Sequence, residues 1–186
     1  MSVTTDARAV LLGRIQRYAC RRGSFRLASG RESDFFVDCK RVVLTAEGHR
    51  LVGEVLCDAI EASGWPAVTA VAGVALGGCP LASAVSLTSA LRGHPLDALY
   101  VRPQPKDHGT AARVEGTVPR GASVILLEDV LTTGGSSLAG IAALGTEGYP
   151  VVGVIALVDR SEGAMDTLGA AGVRVQAMYN REDLTR

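Results

Sequence analysis

One short segment of the chain combines an acidic pair with a turn rich in hydroxyl groups and glycine. The apolar residues 124–127 run into Glu128 and Asp129, and a helical pattern begins a few residues later. The intervening residues are Val130, Leu131, Thr132, Thr133, Gly134, Gly135 and Ser136. The apolar run predicts a buried parallel strand, and residues 136–144 predict the helix that follows it.

A turn of this kind can bind phosphate, because it presents backbone N–H groups at the positive end of the helix dipole. Thr132, Thr133 and Ser136 can add hydroxyl donors. Glu128 and Asp129 would repel a phosphate that they faced, so we expect them to face ligand hydroxyls or a metal ion. A phosphate beside a polyhydroxyl centre is a sugar phosphate. The alternative is an ordinary strand–helix connection in which the acids only cap the helix.

A second glycine-rich turn, residues 73–80, also follows an apolar strand and opens a helix. Gly77 and Gly78 could offer backbone donors to another anion. In open α/β folds, such turns lie together at the carboxyl edge of the sheet. The segment with the acid pair matches neither the phosphate loop that ends in Gly-Lys-Ser/Thr nor the three-glycine dinucleotide motif. Two anion-binding turns and an acid pair predict a sugar that carries phosphate at both ends.

The composition limits the class of protein. The 186 residues are 47% apolar and suffice for one domain with a substantial core, residues 1–186. Lys plus Arg and Asp plus Glu are both 19, so the net charge of zero argues against nucleic-acid binding. Cys20, Cys39, Cys57 and Cys79 form no Cys-x-x-Cys pair, which predicts reduced, mostly buried thiols. We expect no signal peptide, no membrane span and a cytoplasmic location.

The apolar pattern predicts a helix over residues 6–21, two short strands at 24–27 and 35–39, and a second helix capped by Thr45. Strands and helices then alternate. The predicted strands are 68–71, 98–101, 124–127, 151–158 and 173–178, and the predicted helices are 81–91, 136–144 and 163–170. This alternation predicts an α/β fold: a doubly wound, mainly parallel sheet of about five strands with helices on both faces. Residues 1–45 would form an N-terminal helix and hood, and residues 66–180 the core sheet.

Residues 103–119 interrupt this alternation with a long segment that has no clear period. It contains Lys106, Asp107, His108, Gly109 and Arg113. Long loops in compact domains are usually functional or disordered. Because an anion site is predicted independently, we interpret this segment as a flexible cationic flap over an anionic ligand. The alternative is a solvated charged loop.

Residues 126–137 closely resemble the phosphoribosyl-pyrophosphate motif of the type I phosphoribosyltransferases. Three further parts of the chain are similar to members of that family that act on orotate. They are residues 25–30 with 33–38, residues 101–102 with 106–109, and residues 158–160. The similarity extends from about residue 23 to the carboxyl terminus.

The resemblance implies transfer of a phosphoribosyl group from 5-phosphoribosyl 1-pyrophosphate, here called the donor, to orotate, with Mg²⁺ as cofactor. It implies that Arg102, Lys106 and His108 stabilise the leaving pyrophosphate and come from the neighbouring subunit of a homodimer. Asp129 would act in catalysis and touch the metal through water. The implied donor-binding residues are Arg102, Lys106, His108, Gly77, Gly78, Glu128, Asp129 and the segment Val130, Leu131, Thr132, Thr133, Gly134, Gly135 and Ser136. The implied orotate-binding residues are Thr132, Arg160 and Phe36.

The chain departs from many relatives at Ala28, Pro103 and Gly77, where some carry lysine. Each absence removes a cation near a polyanion, so we expect weaker pyrophosphate binding than in lysine-richer relatives. Two alternative functions stay open at this point. One is a phosphoribosyltransferase for another base, purine or uracil, and the other is a non-catalytic regulator that senses the donor.

Overall fold

The computed structural model describes residues 4–26, 32–104 and 112–186. The helices are α1 (Thr4–Tyr18), α2 (Lys40–Val43), α3 (Ala46–Ala62), α4 (Gly78–Leu91), α5 (Gly135–Thr146), α6 (Ala164–Ala170) and α7 (Arg181–Thr185). The strands are β1 (Cys20–Arg26), β2 (Glu32–Val37), β3 (Ala70–Val74), β4 (Asp97–Val101), β5 (Val114–Glu115), β6 (Val124–Leu131), β7 (Val151–Asp159) and β8 (Val175–Asn180).

The larger sheet has the strand order β5-β4-β3-β6-β7-β8. Five of its strands are parallel, and the two-residue β5 pairs antiparallel with β4 at one edge. The chain order reverses between β3 and β6, which are adjacent in the sheet. Ligands bind at such a switch point in open α/β folds, at the carboxyl ends of the strands.

Both faces of this sheet are buried, which explains the near-continuous apolar strands. Val71, Ile125 and Ile155 join the core formed with α1, α3 and α4. Their neighbours in the strands, Ala72 and Val154 among them, face the other way and pack against α5. Alternating side chains of one strand therefore serve two cores, as the pleat of a strand requires.

The antiparallel pair β1–β2 forms the smaller sheet and is attached to the carboxyl edge of the larger one. The Arg160 guanidinium donates to the backbone carbonyl of Phe35 at 2.9 Å, and Arg181 forms an ion pair with Asp34 at 2.6 Å. The backbone N–H of Asp38 donates to the carbonyl of Ala19 at 3.0 Å. The two arginine contacts hold the small sheet over the strand ends, and the Asp38–Ala19 bond joins the residue after β2 to the residue before β1.

The predicted fold class is confirmed: five parallel strands, helices on both faces and a small N-terminal sheet. Thr45 caps α3 as predicted, with its hydroxyl oxygen accepting from the N–H of Gly48 at 3.0 Å. All four cysteines are free thiols, and Cys39, Cys57 and Cys79 are buried. Among the described residues, no helix is long and apolar enough to cross a membrane.

One boundary differs in a way that affects the site. Strand β6 was expected to end at residue 127 but continues to Leu131. The reason is its neighbour β7, which is nine residues long and pairs Glu128 with Ala156 and Val130 with Val158. The acidic pair therefore belongs to the strand itself and not to the turn after it.

Candidate active site

The two acids at the end of β6 point to opposite faces of the sheet, because successive side chains of a strand alternate. Glu128 faces α5, where it accepts hydrogen bonds from the hydroxyl groups of Ser136 at 3.1 Å and Ser137 at 2.8 Å. Asp129 faces the turn before α4, where Gly77 lies against its carboxylate. The pair therefore bridges two helix N-termini.

Glu128 is a buried carboxyl group, with only 4% of its surface exposed. Burial raises its pKa to about 7, and the negative charge of Asp129 adds to the rise, while the two serine hydroxyls oppose it. Glu128 therefore exchanges its proton near neutral pH, and it is already engaged by side chains of α5.

Asp129 lies in close contact with the turn between β3 and α4. A Cβ atom built on Gly77 would lie 2.2 Å from the carboxylate carbon and both oxygens of Asp129. The same turn is tight elsewhere, because a Cβ on Gly73 would lie 2.2 Å from the carbonyl oxygen of Gly78. Burial raises the pKa of Asp129, and the charge of Lys40 opposes that rise. The turn and the acid thus form one packed corner.

The turn after β6 is a glycine-dependent cradle at the start of α5. Gly134 has φ +85°, a conformation that favours glycine, and a Cβ there would contact Leu168. The carbonyl of Thr132 accepts from the N–H of Ala164 at 3.1 Å, so α6 holds the turn from below. Within the described residues, no side chain caps α5 or α4. Both first turns therefore keep the N–H groups that suit a phosphate.

Arg160 follows β7 directly and lies beside this cradle. Its backbone N–H donates to the carbonyl of Leu131 at 3.0 Å. Its side chain is only 6% exposed and forms an ion pair with Glu162 at 2.8 Å. The guanidinium also reaches the carbonyl of Phe35 in β2, as described above. Arg160 is thus a buried, oriented cation that joins the small sheet to the large one.

Phe36 and Phe35 lie on opposite faces of β2, with different exposure. Phe35 is buried, and the guanidinium carbon of Arg181 lies over its ring, 5.6 Å from the ring centroid. Phe36 is half-buried and packs against Phe25 with ring centroids 5.5 Å apart. Phe36 is therefore the ring of this pair that retains exposed surface.

The predicted flap starts from a well-ordered base. Arg102 is exposed, and its Nε lies 2.9 Å from a carboxylate oxygen of Glu115. The backbone N–H of Arg102 donates to the carbonyl of Arg113 at 2.8 Å. This bond joins the residue before the predicted flap to a residue within it. The carboxylate of Glu147 accepts from the N–H groups of Arg113 and Val114. Lys106, Asp107, His108 and Gly109 lie outside the described residues, as does Ala28.

The structure thus brings most of the predicted site residues to one edge of the sheet. Two contributors were not predicted from the sequence. Ser137 bonds Glu128, and its position one residue beyond Ser136 could have suggested this. The other is Lys40, which lies within electrostatic range of Asp129. Nothing in its local sequence signals that contact, because the small sheet brings it there.

Comparison with known proteins identifies the family of the chain. The phosphoribosyl transferase domain family matches residues 43–171. An orotate phosphoribosyltransferase from Sorangium cellulosum is 61% identical over 160 residues, which cover 84% of this chain and 82% of that protein. The chain belongs to the orotate phosphoribosyltransferases.

Solved structures of this family superpose closely. The orotate phosphoribosyltransferase of Mycobacterium tuberculosis in complex with Fe(III) dicitrate has a TM-score of 0.82 at 34% identity, covering 97% of this chain and 99% of that one. The same enzyme in complex with 5-phospho-alpha-D-ribosyl 1-diphosphate has a TM-score of 0.78 at 32% identity, with the same coverage. The family fold therefore extends over almost the whole chain.

We expect Glu128→Gln to change how stability depends on pH. The pKa of Glu128 rises from its ordinary 4.5 to about 7 on folding, so the native state favours the protonated acid. The contribution of the protonated Glu128 to the free energy of unfolding is complete below pH 4.5 and is lost as the pH rises through about 7. The wild type should lose up to roughly 3 kcal/mol relative to the glutamine variant over this window.

Thermal or urea unfolding at pH 5 and pH 8 measures this difference. Glu182→Gln is a suitable control, because the Glu182 side chain is 82% exposed. A stability difference between wild type and Glu128→Gln that stays constant with pH would contradict the predicted shift.

We expect Gly77→Ala to reduce activity with little loss of folding. Gly77 has φ −66°, which any residue adopts, so the added Cβ acts only through its clash with Asp129. Displacing a substrate-facing carboxylate by an ångström costs about tenfold to a hundredfold in rate. Steady-state kinetics checks this against Gly145→Ala, a helical position with open space around its Cβ. Equal activity of the two variants would show that the contact between Gly77 and Asp129 does not constrain the position of the carboxylate.

Proposed function

We propose that this chain performs the reaction of its family with the residues described above. The reaction transfers the 5-phosphoribosyl group from 5-phosphoribosyl 1-pyrophosphate to orotate. It gives orotidine 5′-monophosphate and pyrophosphate, a step of pyrimidine biosynthesis. The single observation that carries the assignment of the site is the position of the acid pair. Glu128 and Asp129 lie at the switch point between two helix N-termini without side-chain caps, within the described residues.

In this proposal, the 5′-phosphate binds the cradle formed by Thr132, Thr133, Gly134, Gly135 and Ser136. Five first-turn or turn residues can supply backbone N–H groups and hydroxyls to one anion. The carboxylates of Glu128 and Asp129 accept hydrogen bonds from the ribose hydroxyls. Glu128 must share its oxygens between the ribose and the two serines of α5.

The pyrophosphate end of the donor binds on the opposite side of Asp129, at Gly77 and Gly78. Arg102, Lys106 and His108 would stabilise the negative charge that grows on this group as its bond to ribose breaks. Arg102 forms an ion pair with Glu115, and their side chains are 46% and 37% exposed. An exposed pair of this kind is weak, so the pyrophosphate can replace Glu115 at little cost.

The site also suits Mg²⁺, because Asp129 offers a carboxylate oxygen, the ligand type this ion prefers. Asp129 would hold the ion through water, together with oxygens of the donor. When bound, Mg²⁺ would screen the charge of the leaving pyrophosphate.

Arg160 is the residue we assign to recognition of orotate. A planar guanidinium pairs with a carboxylate through two parallel hydrogen bonds, a geometry that a purine base cannot use in the same way. The orotate carboxylate would bind beside or in place of Glu162. Thr132 in the cradle and the half-exposed ring of Phe36 would contact the base.

We expect the double variant Arg160→Gln/Glu162→Gln to lose orotate turnover by at least about a hundredfold while still binding the donor. Removing both charges together avoids leaving a buried carboxylate unpaired, which would cost about 3–5 kcal/mol. The assay follows the ultraviolet absorbance of orotate with the donor and Mg²⁺, and calorimetry measures donor binding. Glu182→Gln is the control and should retain turnover, because the Glu182 side chain is 82% exposed. Wild-type turnover with adenine or uracil instead of orotate would overturn the assignment of the base.

We also propose a homodimer in which the flap of each subunit acts in the site of the other. Leu87 and Leu91 lie one turn apart on α4, with 60% and 81% of their surfaces exposed. The exposed Tyr100 of β4 bonds Ser83 one turn earlier on α4, so these groups form one stripe. The predicted flap leaves β4 immediately after this stripe. A partner packed there would lie beside the start of the flap.

Mixing two inactive variants tests this arrangement. Lys106→Ala removes a flap cation, and Asp129→Asn damages the ribose site. If flaps are exchanged between subunits, mixed dimers contain one site with both defects and one intact site. We expect the mixture to regain about a quarter of wild-type activity after subunit exchange. Mixtures that stay inactive while mass measurements show mixed dimers would rule out a shared flap.

A further inference from the structure

The segment that follows β2, residues 38–40, lies near the end of β6 that carries Asp129. Packing and hydrogen bonds fix its position. Cys39 is fully buried, and its carbonyl accepts from the N–H groups of Val42 and Val43 at 2.9 Å each. Val42 and Val43 are themselves buried in the main core. The backbone of this segment is therefore fixed from below by packing and hydrogen bonds.

Two charged side chains project from this fixed segment and pair with each other. The Nζ of Lys40 lies 2.7 Å from a carboxylate oxygen of Asp38. The Lys40 side chain is 40% exposed and that of Asp38 is 29% exposed. The ammonium group of Lys40 is thus oriented by Asp38 but remains exposed to solvent, and it can donate a hydrogen bond to a further anion.

The same segment lies within electrostatic range of Asp129. The pKa of Lys40 is raised, first by its hydrogen bond to Asp38 and also by the charge of Asp129. Asp129 also raises the pKa of the buried Cys39 thiol, after the larger effect of burial. Among the described residues, Lys40 is the cation that acts on Asp129 in this corner.

The turn that should receive pyrophosphate cannot supply a cation of its own. It contains no lysine or arginine over residues 73–78. Position 77 has no room for one either, because the carboxylate of Asp129 occupies the space of any Cβ. The Asp129 carboxylate therefore lies beside the turn where the pyrophosphate end of the donor would bind, and the charge of Lys40 acts on that carboxylate.

We infer that Lys40 is a further donor-binding residue, whose ammonium group, oriented by Asp38, supplies the pyrophosphate end of the donor with the positive charge that the Gly77 turn lacks. This inference rests on the proposed function. It also gives a physical reason why the turn can do without lysine: the cation comes from the start of α2, just after the small sheet.

Lys40→Met should raise the KM for the donor by at least about tenfold, the effect of one lost charge-assisted contact. The KM for orotate and the kcat at saturating donor should change much less. Lys40→Arg should keep the donor KM within about threefold of wild type, since the charge is retained. Asp38→Asn should give an intermediate increase, because the ammonium group keeps its charge but loses its orientation.

Salt dependence separates a direct charge contact from a structural effect. The donor KM of the wild type should rise more steeply with ionic strength than that of Lys40→Met, because the variant has one fewer charge to screen. Arg41→Met is the matched control: Arg41 is adjacent and exposed, and the same charge is removed. It should leave the donor KM unchanged.

The outcomes also distinguish this inference from the function on which it rests. A wild-type protein without orotate turnover would overturn the proposed function. An active wild type with the same donor KM and salt dependence in Lys40→Met and Arg41→Met would overturn only the role of Lys40. Loss of thermal stability in Lys40→Met with an unchanged donor KM would mark Lys40 as structural.

Discussion

The arrangement of the site depends on one close packing contact, the approach of the turn after β3 to the end of β6. Gly73, Gly77 and Gly78 have no side chains because backbone or carboxylate atoms occupy that space. A Cβ on Gly78 would lie 2.5 Å from the carbonyl oxygen of Leu127. This contact brings the N-terminus of α4 against Asp129 and separates it from the cradle of α5. The distance between the two anion sites is thereby set by backbone packing and not by flexible side chains.

That contact also creates an electrostatic problem, since it places the Asp129 carboxylate against a turn that we propose binds phosphate. Burial raises the pKa of Glu128 to about 7, so this carboxyl group is partly neutral at physiological pH. The serine hydroxyls of α5 donate hydrogen bonds that stabilise its charged form. Among the described residues, no serine hydroxyl bonds Asp129, and the charge of Lys40, from the segment after β2, opposes the rise that burial causes in its pKa. The two acids, adjacent in sequence, therefore have different chemical environments because they face different sides of the sheet.

Much of this could be predicted from the sequence, because the signals are local. The apolar strands, the Thr45 cap and the glycine turns each depend on neighbouring residues. The end of β6 was placed too early because the pairing that extends it comes from β7, some thirty residues away in the chain. The divergence of Glu128 and Asp129 follows from that extension. The environments of Arg160 and Lys40 depend on contacts with the small sheet, which no local pattern encodes.

The small N-terminal sheet therefore does more than cover the strand ends. It supplies the Phe35 carbonyl that orients Arg160 and the segment that carries Lys40 to Asp129. The positions of both cations therefore depend on one structural unit. A change that shifted this sheet would alter the recognition of orotate and of the donor together, although the phosphate cradle itself would remain intact. In the proposed function, the large sheet would bind the sugar phosphate, and the small sheet would position the cations proposed to face orotate and pyrophosphate.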